Sequence, residues 1–162
     1  MILDVKKLFG SSQVINLDYS INLSEFEYLG SCPFITPVKI TGSIKCSDGI
    51  VVVKAFADFS FSMLCDRCSE LFSKGYHIEI FHDIVSSLND QSNNDLILAE
   101  NNDFDLDELI ISDILLYLPI KNLCSESCKG ICTKCGRNLN REECFCKPET
   151  DSRFDILKQL LD

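Results

Sequence analysis

The sequence predicts an α+β fold: an antiparallel, curled or barrel-like β-sheet, a helix C-terminal to it, a zinc-knuckle segment and a short terminal helix. Three observations carry this reading. Residues 51–63 alternate apolar and polar side chains with period two. One helical stripe opens at Asp105 and stops before Pro119. Six cysteines then fall within the 23 positions CSESCKGICTKCGRNLNREECFC, residues 124–146.

Each element has its own signal. Val14 to Leu23 alternates in part, and Pro37 to Cys46 sets Val38 and Ile40 against Lys39 and Thr41. Ser47-Asp48-Gly49 then supplies a hairpin turn, because Asp-Gly tolerates the positive φ of tight hairpins. In the next strand Val51, Val53, Ala55, Ala57, Phe59, Phe61 and Met63 share a buried face. Lys54, Asp58, Ser60 and Ser62 lie on a wetter one, with Val52 and Phe56. A further strand covers Lys74 to Val85, and short turns between consecutive strands argue for an antiparallel meander. Residues 86–104 are polar and acidic and read as a loop.

Asp105 and Glu108 have N-cap and N3 spacing. Leu106, Leu109, Ile110, Ile114 and Leu118 form the stripe that follows, and Pro119 ends it. The tail, SRFDILKQLL, is amphipathic through Phe154, Leu157, Leu160 and Leu161. The chain divides into 1–120, an antiparallel β domain with its closing helix, and 121–162, the cysteine-rich segment with the tail helix.

Composition limits the function. A net charge of −10 disfavours binding naked nucleic acid through the overall field, so any RNA contact has to be local or come through a partner. MILDVKKLFG lacks the order of a signal peptide, and no apolar run approaches the roughly 18–20 residues of a membrane span. A cytoplasmic location is expected, where thiols stay reduced, so ten cysteines favour metal over disulfides.

Eight of the ten cysteines form close pairs: Cys65/Cys68, Cys124/Cys128, Cys132/Cys135 and Cys144/Cys146. Thiolates are the preferred ligands of structural zinc, and a C-x2-C turn presents two of them to one ion. Gly136, directly after Cys135, permits the backbone to turn N–H groups toward the sulfurs. Four pairs make two four-cysteine sites in three ways. The preferred partition joins Cys132/Cys135 to Cys144/Cys146 and Cys65/Cys68 to Cys124/Cys128. A crossed arrangement, 124/128 with 132/135, and a single zinc are the rivals, and iron–sulfur ligation is a further one. Cys32 and Cys46 have no close partner and read as small buried hydrophobes.

His77 and His82 are five apart on one strand, hence on opposite faces, and read as surface or strand-edge residues. The acids at 103–108 suit a solvated helix start. No nucleophile elbow, P-loop, H-E-x-x-H or dinucleotide fingerprint is present, so no catalytic residue and no small-molecule substrate is expected. Residues 121–148 carry six basic side chains against three acidic ones. Lys134, Arg137 and Arg141 are the candidates there for contact with RNA or a partner protein.

The order of these features resembles the YceD family of bacterial large-ribosomal-subunit rRNA accumulation proteins, in its cysteine-rich form. The β half ends in Cys65-Asp66-Arg67-Cys68. LPIKNLC closes the helix, CSESCKGICTKCGRNLN and a C-x-C pair follow, and the tail reads DSRFDILKQLL. The resemblance implies a cytosolic, non-enzymatic factor needed for normal 23S rRNA levels. Its expected partner is a large-subunit rRNA precursor or a large-subunit ribosomal protein, and two structural zinc ions are its expected cofactors. The density of thiols leaves an alternative, a zinc-thiolate redox sensor or redox-regulated chaperone. A zinc-ribbon interaction module in transcription is the third reading.

Overall fold

The computed structural model describes residues 1–4, 8, 14–47, 49–85, 96–98 and 103–146. The elements whose bounds lie among the described residues are, in chain order, β1 (Ile2–Asp4), β2 (Ile15–Ile21), β3 (Val38–Ser47), β4 (Ile50–Leu64), β5 (Leu71–Val85), β6 (Leu96–Leu98), β7 (Asp103–Asp105) and α1 (Leu106–Tyr117). Five of the strands form one sheet in the order β2-β3-β4-β5-β6. The pairs from β2 to β5 are antiparallel, and β6 joins β5 in parallel.

The sheet is built around β4 and β5, which pair over their full 15 residues from Ile50↔Val85 to Leu64↔Leu71. Alternation explains the length. Val51, Val53, Ala55, Ala57, Phe59 and Phe61 are buried on one face, and Lys54 and Phe56 are exposed on the other. Met63, at the end of the row, is only half-buried. Gly42 in β3 lies where the backbones press together. A Cβ there would sit 2.2 Å from the Lys54 carbonyl oxygen and 2.6 Å from the Ala55 Cα. A glycine inside a strand marks such a close approach.

Helix α1 covers the buried face. Leu106, Ile110 and Ile114 are completely buried, Leu118 nearly so, and Leu109 half-buried. Asp105 caps the helix by accepting the Asp107 N–H at 3.0 Å. Tyr19 of β2 donates its hydroxyl to Asp107 at 2.8 Å, which ties the first turn to the sheet edge. Burial, helped by the neighbouring Asp107, raises the Tyr19 pKa. At the open end, Phe34 packs edge-on against Phe61 at 5.3 Å and tilted against Phe59 at 5.5 Å.

Several expectations need correction. The sheet is open rather than barrel-like: among the described residues no ladder joins β2 to β6. The stretch expected as a loop contains β6 and β7, and β7 pairs with β1, a strand without its own sequence signal. Three-residue strands are too short to show period two, and the β1 partner lies about a hundred residues away in sequence. Cys32 is exposed rather than buried, whereas Cys46 is half-buried and packs against the core. His82 is half-buried between sheet and helix, with Nε2 2.6 Å from Asp113 Oδ2, rather than at the surface. The amphipathic tail and Asp48 lie outside the described residues, as do 86–95 and 99–102 of the expected loop.

The packing yields a direct test. Gly42→Ala should destabilise the chain by about 1–3 kcal/mol through overpacking, and Ile110→Ala by about 2–5 kcal/mol through a cavity. Chemical denaturation measures both, and a control at exposed Lys54→Ala should stay close to the parent.

Candidate metal centre

The β4–β5 hairpin ends in the turn 65–70, which carries Cys65 and Cys68. Cys65 N–H donates to the Glu70 carbonyl at 2.9 Å, and Ser69 N–H to the Cys65 carbonyl at 2.8 Å. Ser69 has a φ of 57°, an uncommon conformation for a residue with a Cβ. The chain leaving α1 is stitched to this turn. Asp66 N–H donates to the Asn122 carbonyl at 2.8 Å, and Asn122 N–H to Asp66 Oδ2 at 2.7 Å. The Arg67 guanidinium donates to the carbonyls of Glu126 and Cys128 at 3.2 and 3.0 Å. The Arg67 carbonyl in turn accepts the Ile131 N–H at 3.1 Å. Gly130, at φ 76°, allows this contact, because a Cβ there would meet that carbonyl oxygen at 3.0 Å.

These contacts bring Cys124 and Cys128 onto Cys65 and Cys68, with all four Sγ atoms within 4.8 Å of one another. Cys65 and Cys128 sulfurs lie 3.9 Å apart, and those of Cys68 and Cys124 3.7 Å. A tetrahedron with bonds of about 2.3 Å has edges of about 3.8 Å, so these spacings fit a four-thiolate ion. Cys65, Cys68 and Cys128 are buried, with Phe72 and Leu123 packed against them.

The second group is Cys132, Cys135, Cys144 and Cys146, also with every sulfur within 4.8 Å of the others. Cys144 lies 3.3 Å from Cys132 and 3.5 Å from Cys135. The first loop is a knuckle: Gly136 N–H donates to the Cys132 carbonyl at 2.8 Å, and Cys132 N–H to the Arg137 carbonyl at 2.8 Å. Gly136 adopts the expected positive φ, at 71°. This group is more open, with Cys135 and Cys146 exposed and Cys132 and Cys144 half-buried. The sulfurs therefore gather in the preferred partition of the four pairs. Neither the crossed arrangement nor 124/128 with 132/135 is formed.

Within each group the protons are unequally held. Burial raises the Cys65 thiol, but N–H groups of Cys124, Arg67 and Cys68 outweigh it and bring the pKa down to about 6. Cys128 is lowered against its burial by the Asn140 amide and the Gly130 N–H. Burial, then the Cys128 sulfur, pushes Cys124 up to about 12. In the open group, N–H groups of Cys135 and Lys134 lower Cys132 to about 6. Cys144 receives the Cys146 N–H, which lowers it, but the Cys132 and Cys146 sulfurs prevail and push it up to about 12. Crowded thiols thus share protons, the state that a dication resolves by displacing them.

Two bridges that spacing did not announce join the groups. Asn140 Nδ2 donates to Cys128 Sγ at 3.2 Å, and Asn140 Oδ1 accepts the Lys129 N–H at 2.7 Å. Arg141 Nη2 lies 2.7 Å from Glu70 Oε1. Asp66 and Arg67 were visible only as polar turn residues, and their grip on the helix exit depends on the tertiary approach. Of the basic candidates, Arg141 is thus engaged by Glu70, and Arg137 sits 3.8 Å from Glu142. Lys134 is exposed on the knuckle. Phe145, between two cysteines, is 91% exposed and borders a hollow of about 320 Å³ with Arg137. Among the described residues, no helix is long and apolar enough to cross a membrane.

No solved structure matches the chain. A curated relative from Arabidopsis thaliana, "Large ribosomal RNA subunit accumulation protein YCED homolog 1, chloroplastic", is 36% identical over 62 residues. That stretch is 38% of this chain and only 19% of the relative's length. The family described as "Large ribosomal RNA subunit accumulation protein YceD" matches residues 53–161, a span that holds both cysteine groups. The chain belongs to the YceD family.

Proposed function

We propose that this protein is a non-enzymatic cytoplasmic factor that supports 23S rRNA accumulation and large-subunit biogenesis, and that two structural zinc ions hold its C-terminal half in shape. Family membership across 53–161 carries the ribosomal part of this reading. The two groups of four sulfurs support the metal part. Cys65, Cys68, Cys124 and Cys128 would hold one ion, and Cys132, Cys135, Cys144 and Cys146 the other. Each ion would cross-link two loops, and with four thiolates holding it no position would be left for substrate.

The partner is a large-subunit rRNA precursor or a large-subunit ribosomal protein. Contact is best placed on the open knuckle, where Lys134, Arg137 and Phe145 combine positive charge with an exposed ring. A single-stranded base stacks well on such a ring beside a cation. Arg141 is better read as a strut to Glu70 than as a contact. The redox alternative draws on the exposure of Cys135 and Cys146. In it, peroxide would oxidise thiolate pairs to disulfides, itself reduced to water, and zinc would leave. Retention of zinc under mild peroxide removes that reading.

Depletion should lower mature 23S rRNA and free large subunits, read by RNA gels and gradient profiles. A copy carrying Arg137→Ala and Phe145→Ala should restore less than the parent; unchanged rRNA on depletion sinks the proposal. Purified protein should contain two equivalents of zinc by elemental analysis, falling to one for Cys132→Ser and also for Cys65→Ser. An equivalent count insensitive to Cys65 would remove the buried site.

Metal binding should also depend on pH. Cys68 and Cys124 are raised above the ordinary thiol value, so uptake near pH 7 should expel at least two protons from the buried group. Protons compete with metal for the raised thiols, so affinity should rise with pH and fall on acidification. Calorimetry in buffers of different ionisation enthalpy counts the protons.

A further inference from the structure

We propose that the open cysteine group steadies the buried one through Asn140, so that metal in either group raises the affinity of the other. This rests on the zinc reading above and concerns what couples its two sites.

Asn140 lies in the link between Cys135 and Cys144, two ligands of the open group. Its side chain nevertheless serves the other group. Nδ2 donates to Cys128 Sγ at 3.2 Å, and Oδ1 accepts the N–H of Lys129, the next residue, at 2.7 Å. One amide thus grips both the ligand sulfur and the backbone beside it. The link itself has no helix or strand. It is seated on the buried group by the Leu139 N–H to the Gly130 carbonyl at 2.9 Å, by the Arg141–Glu70 pair at 2.7 Å and by a β-bridge between Asn138 and Ile131.

A metal ion at the open group cross-links both ends of that link. The conformational entropy of holding Asn140 on Cys128 is then largely lost already. Without that metal the link regains freedom, and the amide leaves the sulfur for part of the time. Cys128 is buried, so water is a poor substitute donor. Hydrogen-bond partners of a ligand orient it and tune its charge, and losing one typically costs about 10–100-fold in metal affinity. Linkage makes the effect reciprocal: the buried metal fixes Cys128, which fixes Asn140 and the link.

The test uses the full chain loaded with cadmium-113, a soft ion suited to four-thiolate sites, whose resonances distinguish the two groups. Chelator competition then gives each affinity. The parent should bind two ions. Cys132→Ser should lose the open-site resonance, and affinity at the buried site should fall about tenfold. Asn140→Ala should produce a similar fall at the buried site while both resonances remain. Asn140→Asp keeps the acceptor for Lys129 but sets a carboxylate against a thiolate, and should fall further. The double variant Cys132→Ser/Asn140→Ala should be no weaker than Cys132→Ser, because one contact carries both losses. Buried-site affinity unchanged in Cys132→Ser or Asn140→Ala overturns the coupling, as do losses that multiply in the double variant. A parent chain that takes up no metal overturns the zinc reading with it, whereas two bound ions with independent affinities overturn the coupling alone.

Discussion

The antiparallel ladder between β4 and β5 is the constraint on which the rest depends. Its register, fixed from Ile50↔Val85 to Leu64↔Leu71, sends one row of side chains inward and the other to solvent. A slip of one residue would expose Val51, Val53 and Phe59 and bury Lys54. The same register decides where the hairpin ends, and therefore where Cys65 and Cys68 stand. Helix α1 packs on the inner row through Ile110 and Ile114, so its exit at Leu118 arrives beside that turn. Sheet, helix and cysteine turn are one mechanical unit.

The cysteine groups divide into two kinds. The first is sheltered by Phe72 and Leu123 and held by backbone contacts from Asp66, Arg67 and Asn122. Its geometry is specified largely by the protein. The second relies on the short knuckle around Gly136 and on sulfurs near the surface. Thiols with lowered and raised pKa stand side by side in both, because like charges at this spacing repel one another strongly in a partly dry site. The spacing of the sulfurs is compatible with a soft dication in both groups.

Much of the fold was legible. The long alternation in β4 identified a half-buried strand, since period two over that length has few other causes. Asp105 and the stripe through Ile114 located α1, and the observed cap and burial follow them. Closure into a barrel was not legible, because it depends on whether β2 reaches β6. Strands β1 and β7 were invisible for a related reason: each is three residues long and gains its ladder only from the other. His82 read as a surface or strand-edge residue because its partner, Asp113, is brought to it only by helix docking.

By itself the sequence determined the long strands and the helix, the four cysteine pairs and the resemblance to a ribosomal-RNA family, since all three are local patterns or fixed spacings. Tertiary structure decided which pairs meet. Spacing allowed three partitions, and the approach of the α1 exit to the β4–β5 turn selected one of them. It also gave Asn140 and Arg67 their roles, because a side-chain amide reaching a sulfur twelve residues away, or a guanidinium reaching carbonyls some sixty residues away, has no signature in a linear pattern. Hydrogen bonds between distant segments form only after packing has paid the entropy of bringing those segments together.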